Sequence, residues 1–268
     1  MNIETTSRGA TWLAALTDGA APLAGYPPSV QVVDGTLAEQ RCRYISVLPD
    51  AVNAWPRVRT GEIGVIEGWE LARAVHEVID ADRAAPKRAV VAVVDVSSQA
   101  YGRREEAFGI HEALAGAAGA YAQARLAGHP VIALIVGKAM SGAYLAHGYQ
   151  ANRIIALNDA GVMVHAMGKA AAARVTMRSV EDLERLAAEV PPMAYDISSY
   201  ATLGLLWQLL DVDSADRPCA VDLADVRHAL IVALDGIRAD PLPDLRSRLG
   251  GPNRGASSLV REKLLAQW

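Results

Sequence analysis

Hydrophobic positions along this chain alternate between a pattern typical of buried strands and one typical of helices. Nearly continuous apolar runs of strand length occupy residues 89–96 and 131–136. Such runs indicate parallel strands that are covered on both faces of a sheet. The alanine-rich stretch 105–126 between them predicts one long helix. A strand, a helix and a further strand in this order predict a right-handed crossover in a parallel α/β sheet.

The same patterns predict the other elements of the chain. We expect further strands at 31–33, 43–47, 153–157 and 161–165, and helices at 11–16, 69–81, 141–149, 180–189, 196–210, 222–235 and 257–268. An Asp34-Gly35 turn is predicted to join the first two strands. Ser179 and Asp182 resemble a capping box at the start of a helix.

Length and charge narrow the possibilities. The 268 residues predict a single domain over 1–268, with a core at about 30–210 and a helical C-terminal extension at about 211–268. The formal net charge is −4, and charged residues of both signs are interspersed. No basic block stands out, so we expect no nucleic-acid partner.

Targeting signals and cysteine usage indicate a cytoplasmic protein. No apolar stretch reaches the ~18 residues that a membrane-spanning helix needs. The N-terminus carries Glu4 and Arg8 and no apolar segment, unlike a signal peptide. Cys42 and Cys219 are far apart in the sequence and have no metal-type spacing, so both are expected to be reduced thiols.

Two loops are candidates for chemistry, because each follows a buried strand and precedes a helix. They are residues 97–102, SSQAYG, and 137–143, GKAMSGA. Parallel α/β sheets place their sites at the carboxyl ends of strands. Small residues at a helix start expose backbone N–H groups, and the helix dipole favours negative charge there. Two such donors converging on one oxygen form an oxyanion hole. Ordinary strand–helix turns remain the alternative.

Individual side chains near these loops carry weaker signals. Ser141 lacks the first glycine of a nucleophile elbow, since Ala139 stands there, so a helix N-cap is expected. Lys138 comes too early for a phosphate-binding P-loop. His165 ends a predicted strand, where a catalytic group reaches the site; a buried, hydrogen-bonded histidine is the alternative. No grouping of residues has metal-ligand spacing, so no metal site is predicted.

The stretch VVDVSSQAYGRREEAFGIHEALAGAAGAYAQARLAGHPVIALIVGKAMSGAYLAHGYQANRIIAL resembles the carboxyltransferase branch of the crotonase (ClpP-like) superfamily. The resemblance rests on Asp95, the loop 97–102, Glu105-Glu106, the turn 141–143 and the strand start 152–154. With PPMAYDISSYATLGLLWQLLDV, the chain is similar, more narrowly, to the gamma subunits of biotin-independent malonate decarboxylases. Three positions depart from the wider family: the first loop lacks Thr-Pro-Gly, Ala139-Met140 replaces a glycine pair, and an acidic residue is missing near Met167.

The resemblance implies a fold, a reaction and partners. The fold would be a crotonase-like superhelix of stacked β-β-α turns with a helical C-terminal extension. The reaction would be decarboxylation of malonyl thioester to acetyl thioester and CO₂, at a site shared with a homologous beta-type subunit. The substrate would be carried on the CoA-derived prosthetic group of an acyl carrier subunit, and an acyl carrier transferase subunit is a further expected partner. This chain itself would bind no cofactor.

Roles for single residues follow as hypotheses. Gly102, Gly142 and Ala143 would offer backbone amides that hold either the thioester oxygen, where the enolate charge develops, or the carboxylate. Ser98, Gln99 and Ser141 would orient the departing carboxylate, and Arg103 would attract it. His165 would donate a proton or orient the substrate.

Two other functions remain open from the sequence. The first is a self-sufficient acyl-CoA hydratase or isomerase, which requires a glutamate general base. Glu112 is the only near candidate and is poorly placed. The second is a non-catalytic scaffold subunit of a carboxyltransferase complex, in which both loops are ordinary turns.

Overall fold

One mixed sheet of seven strands forms the centre of the computed structural model, which describes residues 7–240, 242 and 244–268. Along the sheet the order is β1-β2-β3-β4-β5-β7, and β6 pairs with the end of β4. Only β1 and β2 pair in antiparallel fashion among these strands. Glu4, which the sequence analysis used to exclude a signal peptide, lies outside the described residues. The strands are β1 Val30–Leu37, β2 Gln40–Val47, β3 Ala89–Val96, β4 Val131–Met140, β5 Arg153–Leu157, β6 Met163–His165 and β7 Gln208–Leu210.

Helices connect and cover these strands. Helices α2 and α4 pack against each other and on the sheet, and α1 and α9 form a second group that also contacts it. The helices are α1 Arg8–Leu16, α2 Val65–Ala81, α3 Arg103–Ala107, α4 Ile110–Leu126, α5 Ser141–Ala146, α6 Lys169–Thr176, α7 Val180–Glu189, α8 Ile197–Ala201, α9 Ala220–Ala239 and α10 Gly255–Leu265. Short 3₁₀ turns lie at Pro56–Val58, Pro191–Met193 and Arg246–Arg248.

The core lies where the sequence is most continuously apolar. Strand β3 and the first seven residues of β4 are buried except at Asp95, and all five residues of β5 are buried. The predicted strands 89–96 and 153–157 are confirmed residue for residue. The predicted capping box is also present, since the Ser179 hydroxyl accepts from the Asp182 N–H. Valine, isoleucine and alanine in these central strands fit a sheet that is covered on both faces.

The predicted Asp34-Gly35 turn is wrong. Strand β1 continues through both residues, and the chain turns at Ala38 and Glu39, which have φ angles of +50° and +61°. The Asp34 carboxylate accepts hydrogen bonds of 2.7 and 2.8 Å from the Arg43 guanidinium on β2. This charge-assisted cross-strand pair holds Asp34 inside the ladder, where an Asp-Gly dipeptide alone favours a turn.

Two predicted helices are interrupted. The predicted helix 105–126 is split into α3 and α4, because Gly109 has a φ of +76°, a left-handed conformation that glycine tolerates. The predicted helix 196–210 ends at Ala201. Residues Gln208–Leu210 instead form β7 beside β5, so the leucines of this stretch pack on the core through a loop and a strand.

Strand β4 is four residues longer than predicted and passes directly into α5. Its last three residues pair with β6, in the order Lys138 with Met163, Ala139 with Val164 and Met140 with His165. Helix α5 ends at Ala146, so the predicted helix 141–149 is three residues too long. The extension of β4 places the second loop beside the end of β6.

Neither a membrane span nor a disulfide occurs in the described part of the chain. No helix there combines the length and the apolar character that crossing a membrane requires. Cys42 is buried and Cys219 is exposed, and both are free thiols. The prediction of two unpaired cysteines is confirmed for these residues.

Helices α2 and α4 approach each other closely at Gly68. A Cβ at Gly68 would lie 2.9 Å from backbone and side-chain atoms of Ala113. Replacing Gly68 by valine is expected to push the helices apart and lower the free energy of unfolding by about 2 kcal/mol. Urea unfolding measures this loss. In the control Gly119→Ala, the new Cβ meets nothing within 4 Å and alanine favours the helix, so equal losses in both variants would contradict the packing argument.

Candidate active site

One side chain joins the two loops that the sequence singled out. The Gly142 N–H donates a 2.8 Å hydrogen bond to Gln99 Oε1. The first loop is held from its other side, where the Ile63 N–H donates to Ser98 O and the Ala100 N–H donates to Ile63 O. Gln99 Nε2 makes no hydrogen bond to the described residues. The Gly142 donor is therefore already satisfied, and the Gln99 carboxamide supplies the free N–H groups of this pair.

Ser141 shapes the second loop through its backbone and its hydroxyl. Its φ angle is +56°, in the left-handed region that few non-glycine residues adopt. Its Oγ donates a 2.6 Å hydrogen bond to Ala166 O, just beyond β6. The predicted N-cap role is wrong, because Met140 occupies the cap position and the Ser141 hydroxyl faces another segment. Ser141 instead ties the start of α5 to the chain that follows β6.

His165 lies at the same place, at the end of β6. Its Nδ1 is 2.9 Å from Met167 O and 3.1 Å from Met167 N, and the tautomer decides which of the two hydrogen bonds forms. The ring stacks on Tyr195, with centroids 3.9 Å apart. Burial lowers the pKa of the imidazole below its ordinary value of 6.5. His165 is therefore neutral at pH 7, and Nε2 is without a hydrogen bond to the described protein.

A cavity of about 350 Å³ adjoins the second loop and His165. No carboxylate is among the described residues that line it. At its wall the hydroxyls of Tyr144 and Tyr200 are buried beside each other, and neither makes a hydrogen bond to any other described residue. Burial is the largest cause that raises the pKa of both phenols, to about 12 for Tyr200, so both stay protonated at pH 7. The lining residues are Ser141, Gly142, Tyr144, Leu145, Tyr149, Val164, His165, Ala166, Pro191, Pro192, Ala194, Tyr200, Leu203 and Leu205.

The structure brings some of the predicted site residues together and leaves others apart. Ser141, Gly142 and His165 line the cavity, and Gln99 reaches it through Gly142. Ala143 is fully buried behind them. The Ser98 hydroxyl donates to Gln99 O, within the first loop. The other two lie away from the cavity: Gly102 sits against Glu105 and Arg57, and Arg103 is exposed at the start of α3.

Sequence reasoning missed two tyrosines of this region: Tyr200, which lines the cavity, and Tyr195, which stacks on His165. Both come more than 50 residues after the second loop, and no local periodicity connects them to it. Their one signal was their place in PPMAYDISSYATLG, within the stretch that resembles gamma subunits. Tyr144 lies on α5, where packing alone accounts for a buried aromatic residue.

His147 lies just after α5 but is part of the core. It is fully buried, with Nδ1 3.0 Å from the Tyr121 hydroxyl and Nε2 3.1 Å from Val93 O. The neutral ring satisfies both contacts when Tyr121 donates to Nδ1 and Nε2–H donates to Val93 O. Burial lowers the pKa of His147 to about 4, so it keeps this form at neutral pH.

Stability is expected to depend on pH through His147. Since its pKa is about 4 when folded and 6.5 ordinarily, the unfolded chain binds the proton more tightly. Stability is complete above pH 6.5 and falls as the pH drops towards 4, by at most roughly 3 kcal/mol. Urea unfolding across this range should give a flatter profile for His147→Gln than for the wild type. The exposed control His76→Gln should keep the wild-type slope, and equal slopes in all three proteins would contradict this assignment.

One group of possible metal ligands exists among the described residues. Asp213, Cys219 and Asp222 have ligand atoms within 4.8 Å of one another. However, Asp222 accepts hydrogen bonds from the backbone N–H groups of Asp213, Ser214 and Cys219. Its carboxylate therefore caps the start of α9, and hydrogen bonding accounts for the cluster.

Comparison with known proteins places this geometry in a family. The family model described as malonate decarboxylase gamma subunit matches residues 58–268. Among curated proteins, the malonyl-S-ACP:biotin-protein carboxyltransferase MADD of Malonomonas rubra is 32% identical over 245 residues, covering 89% of this chain and 82% of that protein.

Solved structures agree with the sequence match. A Pseudomonas malonate decarboxylase hetero-tetramer in complex with coenzyme A contains a chain of 62% identity, with a TM-score of 0.94 over 98% of this chain and 100% of that one. A Pseudomonas MdcD-MdcE hetero-dimer gives 59% identity and a TM-score of 0.91, over 98% and 99% of the two chains. Transcarboxylase 12S shares the fold, with 20% identity and a TM-score of 0.65 over 86% of this chain and 41% of that one. The predicted crotonase-like fold is confirmed.

Proposed function

Since the chain belongs to the malonate decarboxylase gamma-subunit family, we propose that it acts with a homologous beta-type subunit to decarboxylate malonyl thioester. The substrate is held on the CoA-derived prosthetic group of an acyl carrier subunit, and the products are acetyl thioester and CO₂. The assembly of relatives as an MdcD-MdcE hetero-dimer and a hetero-tetramer supports the shared site.

The observation that carries this proposal is the Gln99–Gly142 hydrogen bond beside the largely apolar cavity. In the reaction, the bond between the α carbon and the carboxylate breaks, CO₂ leaves, and the electron pair moves to the thioester oxygen. A proton taken up from solvent at the α carbon then converts this enolate to acetyl thioester. An apolar wall removes water from the carboxylate, and preorganised N–H donors stabilise the charge as it moves. Gln99 Nε2 supplies two such hydrogens, and its position is fixed because Oε1 is bound to Gly142.

We assign the remaining side chains supporting roles. The Ser98 hydroxyl donates to Gln99 O within the first loop, and the Ser141 hydroxyl donates to Ala166 O, so each stabilises the conformation of its own loop. His165 is a neutral imidazole and a weak acid at pH 7, which favours an orienting role over proton donation. The hydroxyls of Tyr144 and Tyr200, which lie beside each other in the cavity wall, are placed to donate a hydrogen bond to the acyl thioester. Gly102 and Arg103 do not line the cavity, and we assign them to contacts with the carrier or the beta-type subunit.

The proposal also covers the cofactor, the remaining subunit and the cellular compartment. The chain binds no cofactor of its own, because the thioester carries the reacting group and protein donors suffice for the charge. An acyl carrier transferase subunit is a further proposed component of the complex. The two free cysteines and the reaction's dependence on a carrier-linked substrate fit the cytoplasm.

The first experiment is to measure CO₂ release from carrier-linked malonyl thioester by this chain alone, by the beta-type subunit alone and by the mixture. Activity confined to the mixture is the expected result. Activity of the isolated gamma chain would contradict a shared site. An assembled mixture that binds the carrier but releases no CO₂ would overturn the decarboxylase proposal.

A further inference from the structure

A second, smaller cavity lies beside the start of β5, and one of its lining residues, Arg248, contacts Tyr149 of the candidate active-site cavity. Its volume is about 60 Å³, and its walls come from the start of β5, the segment before β7 and the 3₁₀ turn Arg246–Arg248. The lining residues are Asn152, Arg153, Ile154, Leu206, Trp207, Ser247 and Arg248. A water molecule needs a cavity of about 10–15 Å³, so this one has room for a few waters or for one small ion.

Two buried guanidinium groups line this space. Arg153 and Arg248 are each only 6% exposed. The Nε atom of each is buried and has no hydrogen-bond partner. Arg153 uses its other nitrogens to bind Ser247 Oγ at 2.9 Å and Asp240 Oδ2 at 3.2 Å. It is unusual for two positively charged guanidinium groups that line one cavity each to have an unpaired Nε–H group, because buried polar groups are nearly always hydrogen-bonded.

The charge around the cavity is unbalanced. Arg248 Nη1 donates to the carbonyl oxygens of Tyr149 and Ala151, and no carboxylate of the described residues lies within ion-pair distance of it. Asp240 is paired with Arg153 and compensates only one of the two cations. Burial, with the nearby Arg254, lowers the pKa of Arg248. A buried cation without a counter-charge is strongly disfavoured, so an anion here would stabilise the fold.

We propose that the cavity between Arg153 and Arg248 binds one small monovalent anion, with the size of chloride or of a planar carboxylate such as formate or bicarbonate. The two Nε–H groups donate to it, and Ser247 and Asn152 complete its surroundings. The anion joins the 3₁₀ turn of the C-terminal extension to the start of β5. We treat it as a structural ligand of the folded chain, because none of the residues that line this cavity also lines the candidate active-site cavity.

The test is thermal unfolding of the full-length chain at constant ionic strength, with chloride replaced stepwise by gluconate, which is too large for the cavity. Binding with a dissociation constant of about 10 mM should raise Tm by about 4 °C over a thirtyfold rise in chloride. Formate and bicarbonate, tested in the same way, distinguish a spherical ion from a planar one. Arg248→Gln should abolish the dependence of Tm on the anion.

A matched control separates binding from general destabilisation. Arg43 is also buried, but it is paired with Asp34 and Glu77, so Arg43→Gln should lower Tm and keep the chloride response. Crystals of the wild type soaked in bromide should show an anomalous peak between the two Nε atoms, which tests the site even if Arg248→Gln fails to fold. A Tm independent of chloride, a response that survives in Arg248→Gln, water alone in the cavity, or bromide bound at crystal concentration only would each overturn the proposal.

Discussion

Replacing Gly142 by valine is expected to lower kcat of the assembled decarboxylase by about 10²–10³-fold, the loss typical for removal of an oxyanion donor. A Cβ at this position lies 3.3 Å from both Cδ and Oε1 of Gln99, which is tight even for alanine. The two further methyl carbons of valine would displace the Gln99 carboxamide from the Gly142 N–H and extend into the cavity. Steady-state CO₂ release by the reconstituted complex measures the effect.

The same variant separates a catalytic subunit from a scaffold. Gly142 lies at the surface of the cavity, so the fold and the association with the beta-type subunit should survive, which co-elution of the two subunits checks. Gly255→Val is the matched control, because a Cβ there meets nothing within 4 Å, and it should keep wild-type kcat. Full activity of Gly142→Val in an assembled complex would support the scaffold alternative, in which the loops are ordinary turns.

The acyl-CoA hydratase alternative loses its physical basis in this fold. Such chemistry requires a carboxylate that accepts and returns a proton at the substrate. Glu112, the only glutamate that the sequence offered nearby, is exposed on α4. The described lining of the cavity contains no carboxylate at all. Neutral His165 and the neutral phenols of Tyr144 and Tyr200 lie there instead, and they suit a reaction driven by departure of CO₂.

The sequence predicts the fold best where one physical cause dominates. Strands β3 and β5 are buried on both faces, so composition alone determined their limits. Prediction was wrong where a distant residue decides the conformation. Asp34 is held in a strand by Arg43, and the end of β4 is extended by pairing with β6. Neither partner is visible in a local window of sequence, because pairing across the sheet overrides local preference.

The candidate site, too, is predicted in part from local sequence and depends in part on distant residues. The rule that sites lie at the carboxyl ends of parallel strands led directly to the loops 97–102 and 137–143. The rule does not predict which groups of the two loops hydrogen-bond to each other. Gln99 Oε1 accepts the hydrogen bond of the Gly142 N–H. This contact depends on the left-handed backbone of Ser141, and a sequence without glycine at that position does not predict such a conformation. The Tyr200 hydroxyl enters the site only because the chain after β6 returns to the cavity that α5 lines.

Exchanging Gln99 for glutamate is expected to lower kcat/KM of the complex by about 10²-fold, since an unpaired charge at a desolvated site costs several kcal/mol. Glutamate has nearly the same shape and still accepts the hydrogen bond from the Gly142 N–H. It replaces the free NH₂ group of Gln99 with a second oxygen, so a negative charge faces the malonyl carboxylate. The loss should shrink as the pH falls towards the pKa of that glutamate, because the protonated acid again offers a hydrogen.

Gln99→Met is the companion variant that identifies what the carboxamide does. Methionine fills a similar volume, exposes the Gly142 N–H and carries neither a donor nor a charge. If Gln99 presents its N–H groups to the substrate, this variant should lose roughly tenfold in kcat, between wild type and Gln99→Glu, since the Gly142 donor partly replaces the lost one. A kcat above that of the wild type would instead mean that Gln99 blocks the Gly142 donor until substrate displaces it. Equal losses in both variants, without pH dependence, would exclude a direct contact between Gln99 and the carboxylate.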